Sequence, residues 1–157
     1  MGYTVNSIVI NKNINDLFLL INNIENWNEL HGYESVELLD KQTLIDKKVK
    51  ITFKVTSFED GQEETWTSQR IIDFSTYSAR GVRLEPMFPF KHWILDVTLS
   101  EEEQGTRMTW TQDFRMDNNS GYSENQIEEL INKGSKEELK VFKDKIESGT
   151  VYKKLQK

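Results

Sequence analysis

Residues 107–116 read Arg107-Met108-Thr109-Trp110-Thr111-Gln112-Asp113-Phe114-Arg115-Met116, and they alternate without a break. Met108, Trp110, Gln112, Phe114 and Met116 fall on one side, Arg107, Thr109, Thr111, Asp113 and Arg115 on the other. Successive side chains of a strand point to opposite faces, so this is a strand whose first face is interior. Downstream the period changes. After a loop at 117–121 comes Ser123 with Gln126 three residues on, a capping-box signature. It opens a long helix to about Ile146, with Ile127, Leu130, Ile131, Leu139, Phe142 and Ile146 as its expected inner stripe. At 1.5 Å per residue that helix spans roughly 35 Å.

On the N-terminal side of this strand, residues 33–40, 48–57, 63–73, 77–85 and 92–100 also read as strands. Short turns separate them: Glu59-Asp60-Gly61, Phe74-Ser75-Thr76 and residues 101–105. Both prolines, Pro86 and Pro89, interrupt the pattern in one short segment. Earlier still, residues 3–10 form a first strand. Asn13 caps a helix over 14–21 with Asp16 in its first turn. A second short helix covers about 24–30 and ends before Gly32, and the last residues, 151–157, are expected to fray. Consecutive short turns favour an antiparallel meander. A curled sheet needs its concave face covered, and only the C-terminal helix is long enough to cover it. The expected class is therefore α+β, a helix-grip arrangement. A curved antiparallel seven-stranded sheet wraps a long C-terminal helix, with two short helices after the first strand. One domain spans residues 1–157, with its core at about 3–147.

The strand at 63–73 sets the functional question. Its even side holds Glu64, Trp66, Ser68, Arg70 and Ile72; Trp66 and Ile72 make that side the more apolar, so Ser68 and Arg70 are carried inward with it. Burying a guanidinium without partners costs several kcal/mol. Either Arg70 pairs with a buried carboxylate, such as Glu64 or Glu85, or it lines a cavity that receives a polar ligand. An arginine on a strand is more often an exposed or edge ion pair, and Trp27, Trp66, Trp93 and Trp110 are equally readable as plain core.

Composition narrows the classes. Lys and Arg number 20 against 26 Asp and Glu, a net charge of −6. Nucleic acid is not the expected main partner, since phosphate binding leaves a basic footprint. With no cysteine, disulfides, zinc–thiolate sites and cysteine nucleophiles are excluded together, and a cytoplasmic home is the economical expectation. No secretory leader is read at the start of the sequence, and no apolar run approaches the ~18–20 residues that span a bilayer. His31 and His92 lack metal-ligand spacing, and neither a G-x-S-x-G elbow nor a glycine-rich phosphate loop occurs. No metal is expected.

Several segments resemble one family. Asn6-Ser7-Ile8-Val9-Ile10, then Ile24-Glu25-Asn26-Trp27-Asn28-Glu29-Leu30, resembles the opening of bacterial polyketide aromatase/cyclases. Trp66-Thr67-Ser68-Gln69-Arg70 is similar to their W-x-S-x-R strand. The run from Gly105-Thr106-Arg107 to Phe114-Arg115-Met116 is similar to their G-T-x-M-x-W-x-Q-x-F-x-M strand. The segments keep the family's order from about residue 5 to residue 147. Glu64 stands where members often carry a further tryptophan, and the loop Pro86-Met87-Phe88-Pro89-Phe90 is about one residue longer.

The resemblance implies the START or birch-pollen-allergen-like fold. It also implies aldol ring closure and dehydration of a poly-β-ketone held on an acyl carrier protein of a minimal polyketide synthase. It places Arg70, Tyr33 and Ser68 as catalytic residues. Trp27, Phe53, Glu64, Trp66, Phe90, Trp93, Trp110, Gln112 and Asn132 are the expected substrate contacts. Such a substrate has acidic methylenes between carbonyls. The protein must fold the chain, which aromatic walls do, and stabilise enolate charge, which a cation in a low-dielectric pocket does. Proton removal falls to Tyr33, to a water held by Ser68, or to Glu64 if it points inward. Lys133, Lys136, Lys140 and Lys143 are the expected carrier-docking face, though a solvated face is the plainer reading. Two other readings stand beside this one. A non-catalytic carrier of a lipid, quinone or aromatic metabolite would use the same fold. A purely structural core would require Arg70 to be paired or exposed.

Overall fold

The computed structural model describes residues 2–59 and 61–151. Its seven strands are β1 (Gly2–Ile10), β2 (Ser35–Thr43), β3 (Lys48–Glu59), β4 (Gln62–Asp73), β5 (Ser78–Glu85), β6 (Phe90–Glu102) and β7 (Gly105–Met116). They form one antiparallel sheet in the order β1-β7-β6-β5-β4-β3-β2. The first strand thus pairs with the last, and the meander lies between them. Helix α1 (Ile14–Ile21), a single 3-10 turn (Ile24–Asn26) and α2 (Trp27–His31) follow β1, and α3 (Glu124–Glu147) comes last. The curved sheet grips α3 as expected.

Local chemistry sets the boundaries. The Asn13 side chain accepts from the Asp16 N–H at 2.8 Å to start α1. Ser123 and Gln126 form the capping box, with bonds of 3.2 and 2.9 Å. The core gathers Leu17, Phe18 and Ile21 of α1, Trp27 and Leu30 of α2, and Leu139, Phe142 and Ile146 of α3. The inward rows Val49, Ile51, Phe53 and Val55 of β3 and Met108 and Trp110 of β7 meet them. Among the described residues no helix is long and apolar enough to cross a membrane.

Several expectations need correction. The second helix divides into the 3-10 turn and α2. The strand expected from Tyr33 starts at Ser35, and β2 is an exposed edge strand with a bulge between Leu38 and Asp40. Tyr77, expected in a strand, takes a left-handed φ of 54° and belongs to the turn before β5. Phe90 belongs to β6 rather than to the proline loop.

Leu130 is 61% exposed and not part of the inner stripe. The buried positions of α3 are Ser135, Leu139, Phe142 and Ile146, and Leu130 sits about 140° around the helix from Ser135 at 3.6 residues per turn. Val151, expected to fray, is buried: Gly149 at φ 81° turns the chain back, while Thr150 N–H donates to Lys145 O at 3.0 Å. The remainder of that segment, 152–157, and Asp60 of the first turn lie outside the described residues.

Candidate active site

The inward row of β4 decides the site. Trp66, Ser68, Arg70 and Ile72 stand opposite Val55, Phe53, Ile51 and Val49 of β3. On the other flank Arg70 pairs with Gly81 of β5. A Cβ there would sit 3.8 Å from Arg70 Nε, an ordinary van der Waals contact. A cavity of about 150 Å³ opens over this row, with Trp27, Tyr33, Phe53, Trp66 and Trp93 as its aromatic wall. Ser68, Arg70, Arg83 and His31 also line it.

Arg70 is 7% exposed, and no carboxylate among the described residues is its partner. Its Nη1–H donates to Asn22 Oδ1 at 3.2 Å, and its Cζ lies 4.6 Å from the Trp27 ring centroid. Its Nε–H has no partner among the described residues. Asn22 is pre-oriented for this contact. It ends α1, and both its backbone N–H and its Nδ2 donate to Phe18 O, at 3.2 and 3.0 Å. Burial pushes the guanidinium pKa down to about 10, with nearby Tyr33 acting the other way. Arg70 therefore remains a cation near neutral pH, in a site that does not neutralise it. The paired-carboxylate alternative is not realised: Glu64 and Glu85 are both exposed.

The structure does not bring all the predicted residues to this cavity. Trp27, Tyr33, Phe53, Trp66, Ser68, Arg70 and Trp93 line it. Trp110 is buried deeper, beside a void of about 10 Å³ that it shares with His31 and Arg70. Glu64 sits outside, so it is not available as an inward base. Gln112 is committed elsewhere: its Nε2 donates to Ser135 Oγ at 2.8 Å and its Oε1 accepts from Trp93 Nε1 at 3.3 Å. Asn132 accepts from Asn6 Nδ2 at 3.0 Å. Phe90 packs edge-on against Phe114 and does not line the cavity.

Two ionisable lining residues escape the sequence reading. Arg83 lies 5.0 Å over Trp66 and 5.7 Å over Phe90, tied by Nε to Pro86 O at 2.8 Å. Burial lowers its pKa, and the charge of Glu64 opposes that. Its signal is parity, since Arg83 shares the face of Gly81 and stands opposite Ser68. The other is His31, stacked on Tyr33 at 4.9 Å, with Nδ1 2.5 Å from Glu138 Oε2. No spacing signal announces it, because the two residues are 107 positions apart.

Larger hollows exist elsewhere. One of about 1170 Å³ lies on the outer sheet face near Tyr3, Ile45 and Arg80, where Arg80 is already paired with Asp96 at 2.8 Å. Another, of about 510 Å³, lies between the α1–α2 segment and β2–β3. Neither holds an unneutralised buried charge, and the inner cavity does.

No protein-family model matches the chain. A Streptomyces cyaneus protein named "Putative polyketide cyclase" is 30% identical over 149 residues, 93% of this chain and 94% of its own length. A Streptomyces halstedii protein of the same name is 26% identical over 110 residues, 69% of this chain and 97% of its own. Among solved structures, the di-domain ARO/CYC BexL superposes with a TM-score of 0.80 at 15% identity. The match covers 96% of this chain and 48% of that one, so the chain spans about half its length. Zhui aromatase/cyclase from Streptomyces sp. R1128 matches at 0.79 and 14%, over 94% of each chain. Ara h 8.0201 matches at 0.67 and 14%, over 94% of this chain and 98% of its own. At these identities the structures show a shared fold, the one expected.

Proposed function

The chain belongs to the polyketide cyclase family, and we propose that it closes and dehydrates one ring of a carrier-borne poly-β-ketone in the cavity beside Arg70. The observation that carries this reading is the buried Arg70 cation, held by one amide oxygen and one indole face, with no carboxylate against it among the described residues. A core selected for stability alone gains nothing from such a group. A site that must hold enolate charge does.

The geometry suits one ring at a time. A cavity of ~150 Å³ accommodates a single benzene-sized ring, so the reacting segment lies inside and the remainder leaves past Trp66, Arg83 and Trp93. Arg70 holds the oxygen on which negative charge develops. Trp27 and Phe53 press the chain into the bend that brings two of its carbons together. Ser68, one inward position along β4, supplies a further hydroxyl near the same oxygen, and Tyr33 closes the wall at the rim.

Lys133, Lys136 and Lys140 are exposed and make the docking face for an acidic carrier protein. At about 100° per residue the three lie on one stripe of α3, on the side away from Glu138. Lys143 is not part of this face, since it is bound to Val9 O and Glu147, each at 2.8 Å. Reversing the charge of Lys136 and Lys140 together raises KM for carrier-borne substrate about 10-fold in low salt and leaves the Tm unchanged. An unchanged KM would move the docking face elsewhere.

The activity test is turnover. Protein added at a hundredth of the substrate concentration to a reconstituted ketosynthase and acyl carrier protein yields many equivalents of cyclised product. Product limited to one equivalent, or identical with and without the protein, would make it a passive carrier.

A further inference from the structure

The cyclisation needs a group to take a proton from carbon, and Arg70, a cation, is not one. We propose that His31 is that general base and that Glu138 is its positioning residue; the proposal rests on the cyclase reading above.

His31 ends α2, and its side chain is 10% exposed. Its ring is fixed on four sides. It stacks on Tyr33 at 4.9 Å and Trp110 at 6.0 Å, and meets Trp27 and Phe142 edge to face at 5.8 and 5.0 Å. Glu138 of α3 then sets its tautomer. A carboxylate only accepts, so in the neutral imidazole the 2.5 Å bond to Glu138 Oε2 takes the hydrogen on Nδ1, and the lone pair is on Nε2. Nε2 has no hydrogen-bond partner among the described residues. The ring lines both the 150 Å³ cavity and the small void that it shares with Arg70. A base and a cation thus face one space, the arrangement needed to remove a proton from carbon while charge moves to an adjacent oxygen.

The steps balance. Nε2 takes a proton from a methylene between two carbonyls, and the C–H electron pair becomes the enolate, its oxygen held at Arg70. The enolate carbon attacks a second carbonyl of the same chain, forming the C–C bond. The alkoxide so formed takes the proton back from the imidazolium. For dehydration Nε2 removes a second proton from the neighbouring carbon and delivers it to the departing hydroxyl, so one water leaves and a C=C bond forms. Glu138 accepts the Nδ1–H bond throughout and holds the ring in place as the imidazolium forms. Its substitution therefore slows turnover through His31 rather than through substrate contact.

The experiment uses the poly-β-ketone generated in situ by a reconstituted ketosynthase and acyl carrier protein. Binding of 2,4-dihydroxyacetophenone, followed by tryptophan fluorescence, reports on an intact cavity. His31→Phe keeps an aromatic ring without a base, and is expected to bind the probe as the parent does while turnover falls 10²- to 10⁴-fold. His31→Ala is expected to regain turnover in proportion to added imidazole, which a purely structural role would not allow. Glu138→Gln keeps an acceptor for Nδ1–H but not its charge, and is expected to lower kcat about 10-fold with KM unchanged. Parental turnover in folded His31→Phe and Glu138→Gln proteins would overturn the proposal. So would a loss of turnover that merely tracks lost probe binding and ignores imidazole. If the parent protein itself gives only the products formed without protein, the cyclase reading fails instead.

Discussion

An Arg70→Met protein folds, melts no lower than the parent, and loses regiospecific ring closure. The two halves of this result share one cause. In the parent, the guanidinium is 7% exposed, bonded once to Asn22 Oδ1, laid over Trp27, and left with an unpartnered Nε–H. Burial desolvates the charge and pushes its pKa down to about 10, with Tyr33 acting the other way. Methionine fills nearly the same volume with no charge to desolvate, and exchanging a buried charge for a well-packed apolar group is often neutral or stabilising by about 1–4 kcal/mol. Catalysis moves the other way. Removing a charged donor aimed at a developing oxyanion costs roughly 3 kcal/mol, about 100-fold in rate. Arg70→Ala loses as much activity and some stability through the void it leaves. Arg70→Lys regains only part of the rate, because the planar fork of donors is gone. Thermal melts beside product yields from a reconstituted synthase check both halves. A marked fall in Tm for Arg70→Met would make Arg70 a structural residue.

Trp27→Ala is expected to be the most destabilising single truncation at the cavity, by about 3–5 kcal/mol. The indole is 1% exposed, meets Phe53 at 4.9 Å and His31 at 5.8 Å, and donates Nε1–H to Ile21 O at 2.9 Å. That carbonyl belongs to the last turn of α1, where no intrahelical donor is left for it. One truncation thus opens a void, orphans a buried acceptor and removes the surface on which Arg70 rests. Trp27→Phe retains most of the packing and loses about 1–2 kcal/mol for the hydrogen bond. Urea unfolding checks this. A midpoint for Trp27→Ala equal to the parent's would show that the cavity wall carries no stability.

The features legible in the sequence are those written at short range. Alternation places Met108, Trp110, Phe114 and the β3 row inside, and the parity of Trp66 and Ile72 carries Arg70 inward with them. Caps at Asn13 and Ser123 fix helix starts for the same reason, since donor and acceptor are three residues apart. The features that elude it depend on how separate elements dock. Leu130 fits an apolar stripe running the length of α3, whereas the sheet engages the Ser135–Ile146 phase. Asn132 and Gln112 are expected at the substrate. In the structure they bond Asn6 and Ser135, partners that come within reach only where β1, β7 and α3 meet. The Asn22 partner of Arg70 is 48 residues away and Glu138 is 107 from His31, and no periodicity records such distances. Arg70 is placed by its own strand; the groups that orient it and complete the site are supplied by the fold.

Product regiochemistry is the decisive readout for a cation-directed ring closure. With ¹³C-labelled malonyl units fed to a reconstituted ketosynthase and acyl carrier protein, the labelling pattern reports which two carbons joined first. One dominant first-ring pattern is expected when the protein is present in catalytic amount, and the mixture of spontaneous cyclisation products when it is omitted or replaced by Arg70→Met. The same mixture in all three reactions would refute a directing role for the Arg70 cavity.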